Sequence, residues 1–85
     1  MVGHMYFVYI LQSHKDGGYY VGMTANLESR LGNHNAGRVR STRYRRPLRI
    51  IYSEKYETRD EARKREVYLK SYGGAREKLK ILETL

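Results

Sequence analysis

The sequence predicts a small α+β domain in which a three-stranded antiparallel sheet is flanked by helices, in the order β-β-α-β-α-α. Two observations carry this prediction. Runs rich in β-branched and aromatic residues lie at positions 6–11, 19–23 and 48–56, and segments with helical spacing of apolar residues follow them. The chain has 85 residues. Because folding at this size buries only about 60% of the unfolded surface, we expect residues 5–85 to form a single domain.

Each predicted strand has its own boundary signals. Residues 6–11 are apolar without alternation, which indicates a strand buried on both faces, and the turn-forming residues 14–18 end it. Residues 19–23 form the returning strand of a hairpin. Pro47 stands at the entry of the third strand, where no ladder hydrogen bond is required of it.

The first helix is predicted between a cap at Thr24 or Asn26 and a stop at Gly37. Its inward-facing positions, spaced i, i+3, i+4 and i+7, are Leu27, Arg30, Leu31 and His34. An inward guanidinium cannot lose its proton and needs an anion, which in a domain with few acids points to a ligand phosphate. The alternative is an Arg whose stem lies along the core while its head reaches water or a local carboxylate.

Thr58 and Glu61 form a capping box that begins the second helix, which we expect to last to about residue 72. Glycines at 73–74 stop it, and apolar residues at 75, 79 and 82 mark a last helix.

Glu66 breaks the apolar face of the second helix. It falls between Ala62 and Leu69 and has Lys70 at i+4. One interpretation is a surface ion pair worth about 0.3–0.5 kcal/mol. The other is a ligand for a hard divalent cation, because one carboxylate with waters and a phosphate oxygen is an adequate Mg²⁺ shell.

Composition limits the class of protein. The chain has 17 Lys plus Arg against 9 Asp plus Glu, a formal charge of +8, and no Cys. A disulfide framework and a thiolate zinc site are therefore excluded. The longest apolar run, residues 5–11, is too short to cross a bilayer. We expect a cytoplasmic protein without membrane contact, and we expect residues 1–4 to be an expression remnant because Met5 would serve as a start.

The positive charge is concentrated in one loop. Residues 38–49 contain six arginines and no acid, interleaved with Ser41, Thr42 and Tyr44. This distribution favours a polyanion as partner, and nucleic acid ahead of a membrane surface. We expect phosphate contacts from Arg38, Arg40, Arg43, Arg45, Arg46 and Arg49. The alternative is a solvated loop that is merely rich in Arg.

The hairpin strands carry Tyr9, Tyr20 and Gly22, which taken alone fit two core tyrosines and a close-approach glycine. In combination with the helical residues they resemble the GIY-YIG nuclease superfamily, above all its small stand-alone bacterial members. The matched positions, in order along nearly the whole chain, are Phe7-Val8-Tyr9, Tyr20-Val21-Gly22, Arg30, His34 and Glu66.

The resemblance implies metal-dependent hydrolysis of a phosphodiester. Tyr9 would act as general base toward the attacking water, and His34 would help it lose its proton. Tyr20 would hydrogen-bond the scissile phosphate or the water, and Arg30 would hold and neutralise the phosphate. Glu66 would bind one Mg²⁺ or another hard divalent cation.

A tyrosine base faces an energetic difficulty, because an ordinary phenol at pH 7 is ionised in only about one molecule in a thousand, a deficit of roughly 4 kcal/mol. We expect Arg30 and the metal to favour the phenolate. Gly22 would leave room for backbone and substrate to approach.

The resemblance also implies a partner: DNA more than RNA, with selectivity for branched DNA inferred from relatives that work in repair or recombination. A protein partner stays open, and we expect a monomer or a weak dimer. The alternative function is a non-catalytic nucleic-acid-binding module of the same fold. It rests on the observation that no Asn follows Glu66, whereas some cleaving members carry a late Asn near the site.

Overall fold

The computed structural model describes residues 5–85, so the predicted expression remnant lies outside the described residues. The elements in chain order are β1 (Tyr6–Ser13), β2 (Tyr19–Thr24), α1 (Leu27–Asn35), β3 (Leu48–Tyr56), α2 (Arg59–Lys70) and α3 (Ala75–Glu83). A short 3₁₀ turn, Arg43–Arg45, lies in the loop between α1 and β3. The predicted α+β class and element order are confirmed. Within residues 5–85, no helix combines the length and the apolar character needed to span a bilayer.

The sheet is antiparallel and has the strand order β2-β1-β3, so β1 is hydrogen-bonded on both sides. Residues 8–11 of β1 are buried, as the unbroken apolar run predicts. Tyr9 lies opposite Gly22 on β2 and opposite Ser53 on β3. The register with β3 shifts between Ile10 and Leu11, which is the signature of a β-bulge.

Helices cover the sheet on both faces, because β1 sends alternate side chains to two separate cores. Tyr9 and Leu11 pack on one face with partly buried apolar residues of α1. Val8 and Ile10 pack on the other face with residues of α2 and α3, including Leu69. The two sets of alternate β1 side chains are therefore buried by different helices, one set by α1 and the other by α2 and α3.

The ends of α1 follow local capping chemistry. Asn26 is the N-cap, and its side chain accepts a hydrogen bond from the Ser29 N–H at 3.0 Å. Thr24, the other predicted cap, instead accepts from the Asn26 N–H at 3.1 Å. Beyond the helix, Gly37 has a φ of 80° and donates its N–H to the carbonyl of His34 at 3.1 Å. Gly37 therefore ends α1 as predicted.

The second helix ends earlier than predicted. Its capping box of Thr58 and Glu61 is present, but α2 stops at Lys70, two residues before position 72. Ser71 leaves the helical conformation, and its hydroxyl donates to the Tyr68 carbonyl at 2.6 Å. Gly74 is buried so close to this turn that a Cβ would overlap the Tyr68 carbonyl oxygen. The close packing of Gly74 therefore requires the chain to turn before the glycines are reached.

A network of ion pairs and hydrogen bonds, for which the sequence gives no signal, joins α2 to β3. Arg65 on α2 donates from Nε and Nη2 to the two oxygens of Glu54 at 2.7 and 2.8 Å, and it also pairs with Glu77 on α3. The hydroxyls of Tyr52 and Tyr56 donate to the same carboxylate. Burial alone would raise the pKa of Glu54, but these hydrogen bonds outweigh it and lower that pKa to about 2. The network fixes the helix that carries Glu66.

Candidate active site

The phenolic oxygen of Tyr9 lies at the centre of a cluster built by β1 and α1. It is 3.0 Å from Nε2 of His34 and accepts a hydrogen bond from Nε of Arg30 at 3.3 Å. The Tyr9 side chain is buried, and so is that of His34. Arg30 and His34 stand four residues apart on α1 and therefore reach the same side of the helix. The inward positions predicted for both side chains agree with this arrangement.

Gly22 makes room for the Tyr9 ring. The two residues are direct partners in the β1–β2 ladder, so their side-chain directions lie on the same face. A Cβ at position 22 would stand 2.5 Å from Cζ of Tyr9 and would overlap the phenolic oxygen. The absence of a side chain at Gly22 thus lets the phenol lie across β2, where it meets His34.

His34 is held from both ring nitrogens. Nε2 faces Tyr9, and Nδ1 is 2.7 Å from Oγ1 of Thr42, which lies in the basic loop. Burial, together with the charge of Arg30, lowers the pKa of His34 to about 4. The imidazole is therefore neutral at pH 7, and one of its two nitrogens carries a lone pair that can accept a proton.

Tyr9 is a neutral phenol in the free protein. Burial raises its pKa above 10, and the hydrogen bond from Arg30 opposes this shift without cancelling it. The expectation that Arg30 favours the phenolate is thus right about the direction of its effect. Burial is nevertheless the larger influence on this pKa.

Tyr20 packs its ring against the same cluster. Its ring centroid is 5.1 Å from that of His34 and 6.4 Å from that of Tyr9, both in tilted or edge-on orientations. Nζ of Lys70 lies 5.5 Å from the Tyr20 ring centroid, at cation–π distance. The hydrogen bond to Tyr9, with a smaller contribution from Tyr20, raises the pKa of Arg30. Both phenols therefore favour the charged form of the guanidinium.

Glu66, on α2, forms its hydrogen bonds outside this cluster. Its side chain is only 7% exposed, and its two oxygens bond Nη1 of Arg63 at 3.1 Å and Nζ of Lys70 at 3.0 Å. Its negative charge lies near enough to Tyr9 to raise the pKa of that phenol further. The predicted Glu66–Lys70 ion pair is present, but the carboxylate is buried, unlike that of an ordinary surface pair.

The pocket beside Glu66 leaves room for a hard divalent cation, although Arg59 and Arg63 also line it. The carboxylate lines a pocket of about 360 Å³ that also contains Thr24 and Arg59. Its present partners Arg63 and Lys70 are 66% and 46% exposed, so they can move away from it into solvent. Among residues 5–85, no three His, Asp or Glu side chains cluster closely enough to form an all-protein metal cage. A single carboxylate completed by waters and phosphate oxygens matches the usual Mg²⁺ shell.

Comparison with known proteins identifies the family. Residues 5–80 match the model of the GIY-YIG catalytic domain. The chain belongs to the GIY-YIG family. The chain is 38% identical to a UPF0213 protein of Staphylococcus haemolyticus over 79 residues, which cover 92% of this chain and 94% of the relative. It is 41% identical to UPF0213 proteins of Staphylococcus aureus over 68 residues, which cover 79% of this chain and 82% of theirs.

A solved structure shows the same fold. The solution NMR structure of a UPF0213 protein from Bacillus halodurans is 30% identical to this GIY-YIG protein and superposes with a TM-score of 0.56. The match covers 94% of this chain and 84% of that one. GIY-YIG domains are typically metal-dependent, and the fold implies a nucleic-acid substrate.

The basic loop of this GIY-YIG protein is held to its surroundings by several of its own arginines. Arg45 pairs with Asp16 of the hairpin turn at 3.0 Å. Arg43 donates to the Gly37 carbonyl at 3.1 Å, and Arg46 donates to the Arg43 carbonyl at 2.7 Å. These three side chains therefore also brace the loop.

The other arginines of the predicted set are exposed. Arg38 donates to the Asn33 side chain at 2.9 Å, and Arg49 donates to that of Gln12 at 3.0 Å. Arg40 lies on the exposed part of the same loop. Phosphate contacts from the six arginines stay a prediction. Those arginines that already bond within the protein would have to keep or exchange these bonds when they contact phosphate.

Thr42 is the residue whose position the sequence reasoning missed. The sequence groups it with Ser41 and Tyr44 between the arginines of the loop, yet it is fully buried and bonded to His34. Ser41 and Tyr44 are exposed as expected. No periodic signal marks Thr42, because it lies in an irregular loop where the inward direction is set by tertiary packing.

Proposed function

We propose that this GIY-YIG protein is a DNA endonuclease that hydrolyses phosphodiester bonds with the help of Mg²⁺ or another hard divalent cation. One observation carries the proposal: the Tyr9 oxygen is held between a neutral imidazole at 3.0 Å and a guanidinium at 3.3 Å. This is an arrangement in which an oxygen can pass a proton to one neighbour while the other holds an anion.

Tyr9 is best suited to relay a proton rather than to store a negative charge. Because its pKa is raised, a free phenolate is disfavoured before substrate binds. In the proposed step the attacking water gives a proton to the Tyr9 oxygen while the phenol's own proton passes to Nε2 of His34. One proton leaves the water and one arrives at His34, so protons and charge balance. The water gains hydroxide character as it attacks phosphorus.

Substrate binding makes His34 a better proton acceptor. With a pKa of about 4, its protonation at pH 7 costs about 4 kcal/mol. The charge of Arg30 is one of the two causes of this low pKa. A phosphate bound to Arg30 neutralises that charge, so the pKa of His34 rises when the anionic substrate is in place. Burial, the larger cause of the low pKa, remains, so the proton relay is less costly in the complex than in the free protein.

The remaining site residues bind and orient the substrate. Arg30 holds a non-bridging phosphate oxygen, and Tyr20 hydrogen-bonds the phosphate or the attacking water. Glu66 would hold the cation, which when bound would supply charge stabilisation for the leaving 3′ oxygen. The binding of the cation requires Arg63 and Lys70 to release the carboxylate.

The basic loop supplies binding without sequence recognition. Phosphate contacts carry no base information, so selectivity would come from the shape of the DNA. We propose branched or flapped DNA in repair or recombination as the substrate class, cut by a monomer or weak dimer.

A second candidate is a nucleic-acid-binding module that does not cut. Two observations favour it: no Asn follows Glu66 in the chain, and both oxygens of Glu66 are engaged by cationic side chains. Asn35, the last Asn of the chain, bonds the backbone of Leu48 and does not enter the cluster.

Purified protein incubated with supercoiled plasmid and with branched DNA separates the two candidates. Cleavage in Mg²⁺ that EDTA abolishes and that Glu66→Gln loses would support the nuclease. Glu83→Gln, an exposed change at the end of α3, is the matched control and should cut like wild type. Binding without cutting in every variant would favour the module, and equal cutting by Glu66→Gln would point to contamination.

A further inference from the structure

The hydroxyl of Thr42 is an unusual feature of the basic loop. The residue is fully buried, whereas its neighbours Ser41 and Arg43 are exposed. Its backbone groups are satisfied locally, because its N–H donates to the Val39 carbonyl and its carbonyl accepts from the Arg45 N–H. Only the side chain points inward, and a buried hydroxyl needs a polar partner. That partner is Nδ1 of His34 at 2.7 Å.

Four groups form one chain of hydrogen bonds: Arg30 Nε, the Tyr9 oxygen, the His34 ring and the Thr42 oxygen. In one arrangement of the hydrogens, Arg30 donates to Tyr9, Tyr9 donates to Nε2 of His34, and Nδ1 of His34 donates to Thr42. Alternatively, Thr42 donates to His34, whose Nε2–H then points at Tyr9. Hydrogen bonds strengthen one another when their dipoles align head to tail.

The charge of Arg30 favours one of the two directions, and that direction also needs an acceptor at Thr42. In the first, every donor hydrogen points away from the cation, so the dipoles are favourably aligned with its field. In the second, the imidazole N–H points toward an oxygen that already faces the guanidinium, so two positive ends oppose each other across Tyr9. The first direction is therefore favoured, and it places the proton of neutral His34 on Nδ1.

We propose that Thr42 is a positioning residue that accepts the Nδ1–H of His34 and so keeps the Nε2 lone pair directed at the Tyr9 hydroxyl. The position of the proton on the His34 ring is a structural property that can be measured whether or not the protein cuts DNA. Its catalytic consequence rests on the proposed function, because only the Nε2 lone pair can take the proton that Tyr9 relays. The basic loop would then serve the chemistry as well as DNA binding.

Two substitutions isolate the hydroxyl. Thr42→Val keeps the shape of the side chain and removes the acceptor, and Thr42→Ser keeps the acceptor. The first measurement is ¹⁵N NMR of the His34 ring in the full chain at pH 7. We expect an unprotonated Nε2 in the wild type, a mixture of tautomers in Thr42→Val, and the wild-type pattern in Thr42→Ser. A protonated Nε2 in the wild type would overturn the proposal, even if Thr42→Val failed to fold.

The second measurement is steady-state DNA cleavage. We expect Thr42→Val to lower kcat by about tenfold to a hundredfold, as loss of a partner that orients a site residue commonly does, with KM changed less than about twofold. Thr42→Ser should restore most of kcat. A wild-type tautomer and kcat in Thr42→Val would overturn the proposal. If the wild type cut no DNA, the proposed function would fail, whereas the NMR result would still decide the role of Thr42.

Discussion

The Tyr9 phenol and the His34 imidazole lie 3.0 Å apart although 25 residues separate them in the chain. Three features bring them together: β1 carries the phenol, Gly22 leaves the path across β2 open, and α1 presents the imidazole on its buried face. The contact is therefore a product of the whole fold.

Removing the Tyr9 hydroxyl tests the relay directly. Tyr9→Phe should lower kcat for DNA cleavage by at least about a hundredfold, because it deletes the oxygen that passes the proton. The variant should lose about 1–3 kcal/mol of stability, since His34 and Arg30 lose a buried partner. Plasmid cleavage and urea unfolding measure the two effects. Tyr72→Phe, at a fully exposed position, is the control, and a wild-type kcat in Tyr9→Phe would refute the relay.

Gly22 should tolerate no side chain. Gly22→Ala forces Cβ against the Tyr9 ring, and overpacking of this kind costs about 1–3 kcal/mol. We expect a lower urea midpoint and loss of cleavage together, because the phenol must move. Gly32→Ala is the matched control, since a Cβ there meets nothing within 4 Å and helix propensity favours Ala by up to about 1 kcal/mol. Equal stability of the two variants would contradict the packing argument.

Arg63 should compete with the cation for Glu66. Arg63→Ala removes one of the two ion pairs on that carboxylate. Because Arg63 is itself 66% exposed, we take the pair to be worth about 0.2–1 kcal/mol, so the Mg²⁺ concentration for half-maximal cleavage should fall by about 1.4-fold to fivefold. Lys64→Ala, which breaks the exposed pair with Asp60 on the same helix, should leave it unchanged. A rise in the required Mg²⁺ would instead assign Arg63 to substrate binding.

Stability should fall in mild acid because of His34. Its pKa is lowered from 6.5 to about 4 in the folded protein, so the unfolded chain takes up the proton first. The stabilising contribution is complete above pH 6.5 and is lost as the pH falls toward 4, by about 1.4 kcal/mol per unit and about 3 kcal/mol in all. Glu54 contributes only below its ordinary value of 4.5.

Urea unfolding at several pH values between 7 and 4.5 tests this slope before Glu54 begins to act. His34→Gln should be less stable at pH 7 and should show a flatter dependence over that range. A wild-type slope in His34→Gln would assign the acid sensitivity to another group.

The basic loop should set the salt dependence of DNA binding. Arg38→Ala with Arg40→Ala should weaken binding to all sequences alike and should reduce the slope of log K against log salt by about 0.9 for each phosphate that the loop ceases to neutralise. Lys80→Ala on α3 is the control outside the loop. Arg45 is spared because its replacement would also break the pair with Asp16. An unchanged slope would remove these two side chains from the DNA interface.

Local signals predicted the elements well, and long-range contacts less so. The third strand and the capping box of Thr58 and Glu61 are where the sequence placed them, because both depend on neighbours within a few residues. The inward position of His34 followed from helical spacing. The early end of α2 was missed because it depends on how closely Gly74 packs beneath the Tyr68 carbonyl.

Three side-chain contacts had no sequence signal. Thr42 lies in a loop without periodicity, Asp16 pairs with an Arg 29 residues away, and Glu54 stands beside another charged residue, Lys55, near the end of its strand. Each partner is chosen by how separate segments pack, which a single sequence does not reveal.

Strand β1 is bonded on both sides and covered on both faces, so the backbone beneath Tyr9 cannot shift without opening the whole domain. In the proposed nuclease, adaptation to differently shaped DNA must therefore occur elsewhere. The segment from residue 36 to residue 47 is the natural place for it. Efforts to redirect substrate choice should vary that segment at its exposed positions while keeping Thr42 and the central strand unchanged.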